Sequence, residues 1–135
     1  MPRTATCSCG QLSITLKDDP FLVQCCSCTE CRKVTGSAFS TASYWDQQQV
    51  LSISGEYKAY TRKANSGRKV TLHFCPVCGV TVFWYAEMIP GKIGVAVGCF
   101  DDLNFPRPVR ATFCRSKFSW VDFASDIPQS LQPTS

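Results

Sequence analysis

Ten cysteines in 135 residues constrain this chain more than any other feature, because most of them are grouped in short-spaced sets. The positions are Cys7, Cys9, Cys25, Cys26, Cys28, Cys31, Cys75, Cys78, Cys99 and Cys114. Cysteines two or three residues apart are too close for a disulfide that ties distant parts of the chain together, but their thiolates can converge on one metal ion. The spacing therefore favours metal binding.

The start of the chain, MPRTATCSCGQLSITL, has neither an apolar h-region nor a small-residue cleavage site. No apolar run in the sequence approaches the ~18 residues of a membrane span. We therefore expect a cytoplasmic protein without a membrane partner. In a reducing compartment, clustered cysteines indicate a metal site or catalysis rather than disulfides. The formal net charge of +4 is spread along the chain, which argues against a nucleic-acid partner.

Composition predicts a single folded domain. Apolar residues make up 44% of the chain and charged residues 18%, as in ordinary globular proteins. We place this domain at residues 1–123, since roughly 100–150 residues is the commonest domain size. The remaining segment 124–135, ASDIPQSLQPTS, contains two prolines and few apolar residues. It is predicted to be a flexible tail.

The periodicity is mostly that of antiparallel strands, which predicts a mainly β fold. Strands are predicted at residues 11–16, 38–45, 50–54, 57–62, 69–74, 81–85, 93–98 and 109–118. The strands at 57–62 and 69–74 are expected to pair as a hairpin, because Asn65, Ser66 and Gly67 form a turn signal between them. Its basic tip is predicted to be a solvated loop.

One short helix is predicted, immediately after the densest cysteine cluster. The segment ECRKV at residues 30–34 suits one or two helical turns. Ser27 or Thr29 can cap its start, and Gly36 is a natural stop. The cluster therefore lies at the beginning of this helix.

The segment CPVCG at residues 75–79 is typical of a zinc knuckle, in which a tight turn presents two thiolates. Gly79 lies where the backbone must turn without a Cβ. Structural zinc takes four ligands, and Cys7 and Cys9 form an available second pair. These four cysteines are predicted to bind a structural zinc. The alternative is that they are only small buried apolar residues.

The second set, Cys26, Cys28 and Cys31, offers three ligands and no obvious fourth. A site with a vacant position is typical of catalytic zinc, whereas structural sites are closed. These three residues are therefore candidates for an active centre. The alternative is a second structural site completed by one of Cys25, Cys99, Cys114 and His73.

Three motifs, in this order and spacing, resemble the glutathione-dependent formaldehyde-activating enzyme family, which also includes centromere protein V. They are CSCG at residues 7–10, CSCTECRKVTGSAF at 26–39 and FCPVCG at 74–79. The resemblance extends from about Cys7 to Trp120. It implies a β-tent fold, in which small antiparallel sheets are joined through a structural zinc site. It also implies two zinc ions per chain, with Cys7, Cys9, Cys75 and Cys78 on the structural ion and Cys26, Cys28 and Cys31 on a substrate-side ion.

The resemblance implies a reaction that makes or breaks a carbon–sulfur bond, such as the formation of S-hydroxymethylglutathione from glutathione and formaldehyde. We therefore expect a zinc-dependent carbon–sulfur lyase or synthase. Its partner would be a small-molecule thiol or thiol adduct, with glutathione as a candidate co-substrate. Zinc has no redox chemistry, which favours addition, elimination or hydrolysis over electron transfer.

Four residues are candidates for substrate contacts. Arg32 and Lys33 could meet substrate carboxylates, or they could be helix-surface charges. Phe39 and Trp45, downstream of the cluster, could wall a pocket. The sequence also departs from the family pattern, since Ser27 and Ala111 stand where relatives often carry histidine. These departures leave open a substrate other than formaldehyde and glutathione.

Two rival functions remain. A non-enzymatic zinc module for protein interaction is one, because the missing histidines remove ionisable groups. A thiol reductase of the methionine sulfoxide reductase B type is the other, if Cys99 or Cys114 were an exposed catalytic thiol. Otherwise Cys25, Cys99 and Cys114 are expected to be buried.

Overall fold

A computed structural model describes residues 1–64 and 66–131. In this part of the chain one α-helix, α1 (Thr29–Thr35), is accompanied by ten strands. The strands are β1 (Arg3–Thr6), β2 (Ser13–Leu16), β3 (Leu22–Cys26), β4 (Ser40–Asp46), β5 (Val50–Ser54), β6 (Lys58–Lys63), β7 (Lys69–Phe74), β8 (Thr81–Ala86), β9 (Lys92–Ala96) and β10 (Arg110–Thr112). Strand accounts for 41% and helix for 12%, which confirms the prediction of a mainly β fold.

The strands form two sheets. A small sheet has the order β1-β2-β5, and a large sheet has the order β10-β3-β4-β9-β8-β7-β6. All pairs in both sheets are antiparallel except β10 with β3, which is parallel. A parallel pair requires a long connection, and here the chain passes through most of the large sheet between β3 and β10.

The core is built from apolar residues of both sheets. It contains Ala5, Cys7, Leu12, Ile14, Leu16, Trp45, Cys75, Val82, Phe83, Ile93, Val95, Cys99 and Phe100. Strand alternation then assigns the faces of the large sheet. Ser43 and Trp45 of β4 are buried, so the intervening Tyr44 lies on the opposite face, away from this core.

The largest differences from the predicted elements are at short or irregular strands. β1 and β3 were not predicted, because four or five residues rich in cysteine, threonine and polar side chains give little periodic signal. The strand predicted at 109–118 is only Arg110–Thr112. Phe113 has a φ of 54°, and a 3₁₀ turn follows at Cys114–Ser116, so the extended chain ends there.

The β6–β7 hairpin is confirmed, with residue pairs from Lys58 with Phe74 to Lys63 with Lys69. Its turn is closed by hydrogen bonds from the Ala64 amide to the Arg68 carbonyl and from the Gly67 amide to the Ala64 carbonyl. Asn65, which the turn prediction included, lies outside the described residues.

The helix begins at a cysteine rather than at Ser27 or Thr29. Cys28 is extended, with φ −64° and ψ 156°, and its sulfur accepts a hydrogen bond from the Cys31 amide at 3.3 Å. A sulfur therefore does the capping that a hydroxyl was predicted to do. Gly36 ends the helix in the left-handed conformation, as predicted.

The described part of the tail contacts β10. The Ala111 amide donates to the Pro128 carbonyl at 2.8 Å, and the Cys114 amide donates to the Ser130 carbonyl at 2.9 Å. The domain boundary at residue 123 and the flexibility of the tail stay predictions, and residues 132–135 lie outside the described part. In the described residues, the single α-helix is too short to cross a membrane.

Candidate metal centres

The first cysteine set converges at the junction of the two sheets. Cys7 follows β1 of the small sheet, and Cys75 follows β7 of the large sheet. The Sγ atoms of Cys7, Cys9, Cys75 and Cys78 all lie within 4.8 Å of one another. A metal ion held here would link the two sheets.

The sulfur spacing suits a tetrahedral ion. Sγ of Cys9 lies 3.6 Å from that of Cys7 and 3.7 Å from that of Cys75. Zinc–sulfur bonds of about 2.3 Å in a tetrahedron place the sulfurs about 3.8 Å apart. Cys9 is exposed and Cys78 partly so, unlike simple core cysteines. The four cysteines can therefore hold a metal ion, and the zinc prediction fits this geometry.

Polar hydrogens surround the sulfurs of this set. The Gln11 side-chain amide donates to Sγ of Cys75 at 2.9 Å, and the Val77 amide donates to the same sulfur at 3.4 Å. Burial raises the pKa of Cys75, but hydrogen bonds from Cys78, Gln11 and Val77 outweigh this effect and lower it to about 6. The thiolate required of a metal ligand is thus favoured at neutral pH.

The turn that presents Cys75 and Cys78 depends on Gly79. This glycine has a φ of 81°, and its amide donates to the Cys75 carbonyl at 2.8 Å. Residues with a Cβ rarely adopt that φ. The Cys75 amide in turn donates to the Val80 carbonyl at 3.0 Å, which directs the chain into β8. The predicted role of Gly79 in the turn is confirmed.

The second set lies where β3 passes into α1. Cys26 is the last residue of β3, Cys28 caps the helix and Cys31 lies in its first turn. Their three Sγ atoms lie within 4.8 Å of one another, and all three residues are partly buried. The strand-to-helix junction therefore brings together the three ligands that the sequence predicted.

The three thiols compete for protons. Hydrogen bonds from Cys26 and Cys31 lower the pKa of Cys28, and the contacts with Cys28 and Cys26 raise the pKa of Cys26 and Cys31 respectively. Like charges this close do not ionise together without a compensating cation. A divalent ion bound to all three sulfurs would supply that compensation.

No fourth protein ligand completes this set in the described part of the chain. No further His, Cys, Asp or Glu has a ligand atom within 4.8 Å of all three sulfurs. Cys25 is buried on the opposite face of β3, next to the Thr41 hydroxyl. Cys99 lies in the core, and Sγ of Cys114 donates to the Ala111 carbonyl. The alternative of a closed second site built with one of these thiols is therefore wrong.

His73 does not join the set either. Its ring stacks on Phe83, with centroids 4.8 Å apart and planes 7° apart. Tyr57 and Tyr85 meet the same ring edge-on. Burial lowers the pKa of His73. The residue is thus part of an aromatic cluster on the core side of β7.

Tyr44 and Trp84, which were not predicted as site residues, lie beside the second set. Cross-strand pairing places Tyr44, Gly94 and Trp84 side by side on the face that also carries Cys26. Burial, and then the Cys31 charge, raise the pKa of Tyr44 to about 12. Its hydroxyl is therefore a proton donor at neutral pH. Strand alternation contained this signal, but the sequence does not say which face the cluster occupies.

Arg62 is a second residue that sequence reasoning missed. It lies on β6, in the basic segment predicted to be a solvated tip, yet its Nε is buried and has no hydrogen-bond partner among the described residues. Its charge is a further cause that lowers the pKa of Cys28, after the hydrogen bonds from Cys26 and Cys31. The guanidinium therefore lies close to the second cluster.

The predicted substrate contacts have different environments. The Arg32 guanidinium covers the Phe118 ring at 4.6 Å, and Lys33 is exposed. Phe39 meets Phe123 edge-on, with ring centroids 5.0 Å apart. The roles of these three candidates stay predictions.

Trp45 is a correction, because it is fully buried. Its ring stacks with Phe100 in the core, and its indole N–H donates to the Ser43 hydroxyl at 2.9 Å. A residue on the core face of β4 cannot wall a pocket on the opposite face.

The two positions that lack a family histidine also differ in environment. Ser27 is fully buried beside the cysteine ligands, and its hydroxyl has no partner in the described residues. Ala111 pairs with Cys25 and is fully buried on the face opposite Cys26. Of the two departures, only Ser27 is adjacent to the ligands.

Fold and site together define a mainly β protein with two thiol-rich sets that could hold metal ions. The chain belongs to the glutathione-dependent formaldehyde-activating enzyme family, whose sequence model matches residues 2–116. A crystal structure of a Rhodobacter sphaeroides protein is similar in fold, with a TM-score of 0.59 at 20% identity over 75% of this chain and 90% of that one. No curated protein gives a significant match.

Proposed function

We propose that this protein is a zinc-dependent carbon–sulfur lyase or synthase that makes or breaks the thiol adduct of a small electrophile. The convergence of Cys26, Cys28 and Cys31 without a fourth protein ligand among the described residues carries the proposal. Family membership supports it, since the family description names a glutathione-dependent activity on formaldehyde. The proposed partner is a small-molecule thiol, and glutathione is one candidate.

Zinc bound to three thiolates supplies Lewis-acid chemistry and a position for a substrate atom. The protein itself supplies the face of the large sheet on which that substrate would lie. Tyr44 offers a protonated hydroxyl for oxygen charge that develops during addition or elimination at a carbonyl carbon. Trp84, next to Tyr44 on this face, offers an aromatic surface that excludes water.

The first cysteine set is proposed to hold a structural zinc. Its four sulfurs leave no position for a substrate, and it links the two sheets. A reducing compartment such as the cytoplasm, in which all ten thiols stay reduced, belongs to this proposal.

Metal content tests the assignment. The wild-type protein is expected to bind two zinc ions per chain, measured by mass spectrometry of metals after dialysis. Cys28→Ser should bind one, keep the fold seen by circular dichroism and lose turnover of the hydroxymethyl thiol adduct. Cys25→Ser is the matched control, because its thiol lies on the opposite face of β3. One zinc in the wild type, with the Cys26 set free or oxidised, would overturn the proposal.

The same variants separate the two rivals. An interaction module would keep its zinc but show no turnover of any thiol adduct. A thiol reductase would lose turnover in Cys99→Ser or Cys114→Ser with zinc content intact. Cys99 is unsuited to that role, because burial and then the charges of Cys7 and Cys78 raise its pKa to about 11.

A further inference from the structure

We infer, on the basis of the proposed function, that Arg62 is a substrate-binding residue whose guanidinium receives a carboxylate of the thiol that enters the Cys26 set. The substrate class is thereby narrowed to thiols that carry a carboxylate. The inference concerns a residue of β6, distant in sequence from every cysteine of that set.

Arg62 carries a charge that the described protein leaves unpaired. No Asp or Glu oxygen of the described residues lies within the 4.0 Å of an ion pair, and its buried Nε has no hydrogen-bond partner. A buried polar group without a partner lowers stability. Such a group is consistent with an anion that arrives with the substrate.

Other arginines of this protein are paired. Arg3 binds Asp19 and Asp102, Arg107 binds Asp126, and Nε of Arg110 donates to the Gln24 side chain at 2.6 Å. Acidic side chains are therefore used elsewhere in this fold to satisfy guanidinium groups. Arg62 differs from them in facing the candidate active centre without such a partner.

Register places Arg62 on the correct face. Tyr60 and Arg62 alternate with Thr61 along β6, and Tyr60 pairs with Leu72, which pairs with Trp84. Trp84 in turn pairs with Gly94, the neighbour of Tyr44. Arg62 thus shares the face of Tyr44 and Cys26. A ligand on this face can reach the guanidinium and the cysteine set together, as the effect of Arg62 on the Cys28 thiol also indicates.

A competing explanation is that Arg62 only neutralises the thiolates of the set. The two explanations differ in what the Arg62→Met variant loses. A counter-charge would affect metal retention and every thiol equally. A carboxylate receptor would affect acidic thiols alone, because methionine keeps the apolar stem of the side chain and removes only its charged end.

The experiment is calorimetric titration of the zinc-loaded protein with 3-mercaptopropionate and with 3-mercapto-1-propanol, which share chain length and sulfur. The wild type is expected to bind the acid about tenfold more tightly, as one charge-assisted hydrogen bond implies. In Arg62→Met this preference should disappear, with affinity for the alcohol and zinc content unchanged. Arg68→Met, which removes an exposed charge from the same hairpin, should behave as the wild type.

An undiminished acid preference in Arg62→Met would overturn the inference. So would loss of one zinc, or an equal loss of affinity for both thiols, since these results identify Arg62 as a counter-charge. Equal binding of acid and alcohol by the wild type would overturn the inference and leave the proposed function standing. Binding of neither thiol would overturn both.

Discussion

The indole of Trp84 occupies the space in which a side chain at Gly94 would lie. A Cβ at residue 94 would be 2.2 Å from Nε1 of Trp84 and 2.3 Å from its Cε2. These two residues are cross-strand partners on β8 and β9, and Tyr44 meets the same indole edge-on at 6.3 Å. The absence of a side chain at residue 94 therefore positions the aromatic residues beside the second cysteine set.

Gly94→Ala is expected to displace the indole and lower the free energy of unfolding by about 1–3 kcal/mol, the usual cost of overpacking. Urea unfolding followed by circular dichroism measures this change. Gly98→Ala is the matched control, because its Cβ would meet nothing within 4 Å and residue 98 is exposed. Equal unfolding midpoints for the two variants would contradict the close packing of Trp84 on Gly94.

Gln11→Leu is expected to weaken metal retention at the first cysteine set by about tenfold to a hundredfold, as is typical when a hydrogen bond to a ligand is removed. The Gln11 amide helps to lower the pKa of Cys75 to about 6. Without it that pKa rises, so protons compete with the metal at a higher pH. The midpoint of zinc release in an acid titration should therefore move upward.

A colorimetric zinc chelator measures this release. Gln48→Leu is the control, since residue 48 is exposed and distant from the cysteine ligands along the chain. A release curve for Gln11→Leu that coincides with those of the wild type and the control would show that the amide does not stabilise the thiolate.

Tyr44→Phe is expected to lower kcat by about tenfold to a thousandfold while zinc content and KM stay near those of the wild type, because only a hydrogen-bond donor is removed. Burial and the nearby Cys31 charge raise the pKa of Tyr44 to about 12. A raised pKa keeps the hydroxyl protonated, so its contribution should not decline between about pH 7 and pH 10. Steady-state kinetics across that range provide the measurement.

Tyr60→Phe is the matched control for Tyr44→Phe. Tyr60 belongs to the same face of the large sheet but lies on its edge strand, 59% exposed. If both variants lost the same activity, the effect would belong to the aromatic face in general and the proposed role of Tyr44 would be wrong.

The two cysteine sets could be predicted because each is mostly local. Cys75 and Cys78 lie in one tight turn, and Cys26, Cys28 and Cys31 lie in one strand-to-helix junction. Thiolates at such spacings converge on one point whatever the remainder of the fold does. The pairing of the Cys7 side with the Cys75 side was inferred from the need for four ligands, and the structure brings them together.

Residues that act across the large sheet could not be predicted in the same way. Period-two alternation says that Tyr44 and Trp45 lie on opposite faces of β4, but not which face packs on the small sheet. Trp45 was therefore assigned to a pocket although it lies in the core, and Tyr44 was overlooked. Arg62 was assigned to a solvated tip, because nothing in its neighbourhood of the sequence refers to Cys28.

The sequence by itself determined the mainly β class, the hairpin around residues 64–68 and the membership of both cysteine sets, since these depend on contacts between near neighbours or on ligand number. Only the tertiary structure decided that Tyr44, Trp84 and Arg62 share a face with Cys26. That juxtaposition results from five strand pairings across the large sheet, which join residues far apart in the chain. Such pairings are selected by the packing of the whole sheet, and no local pattern specifies them.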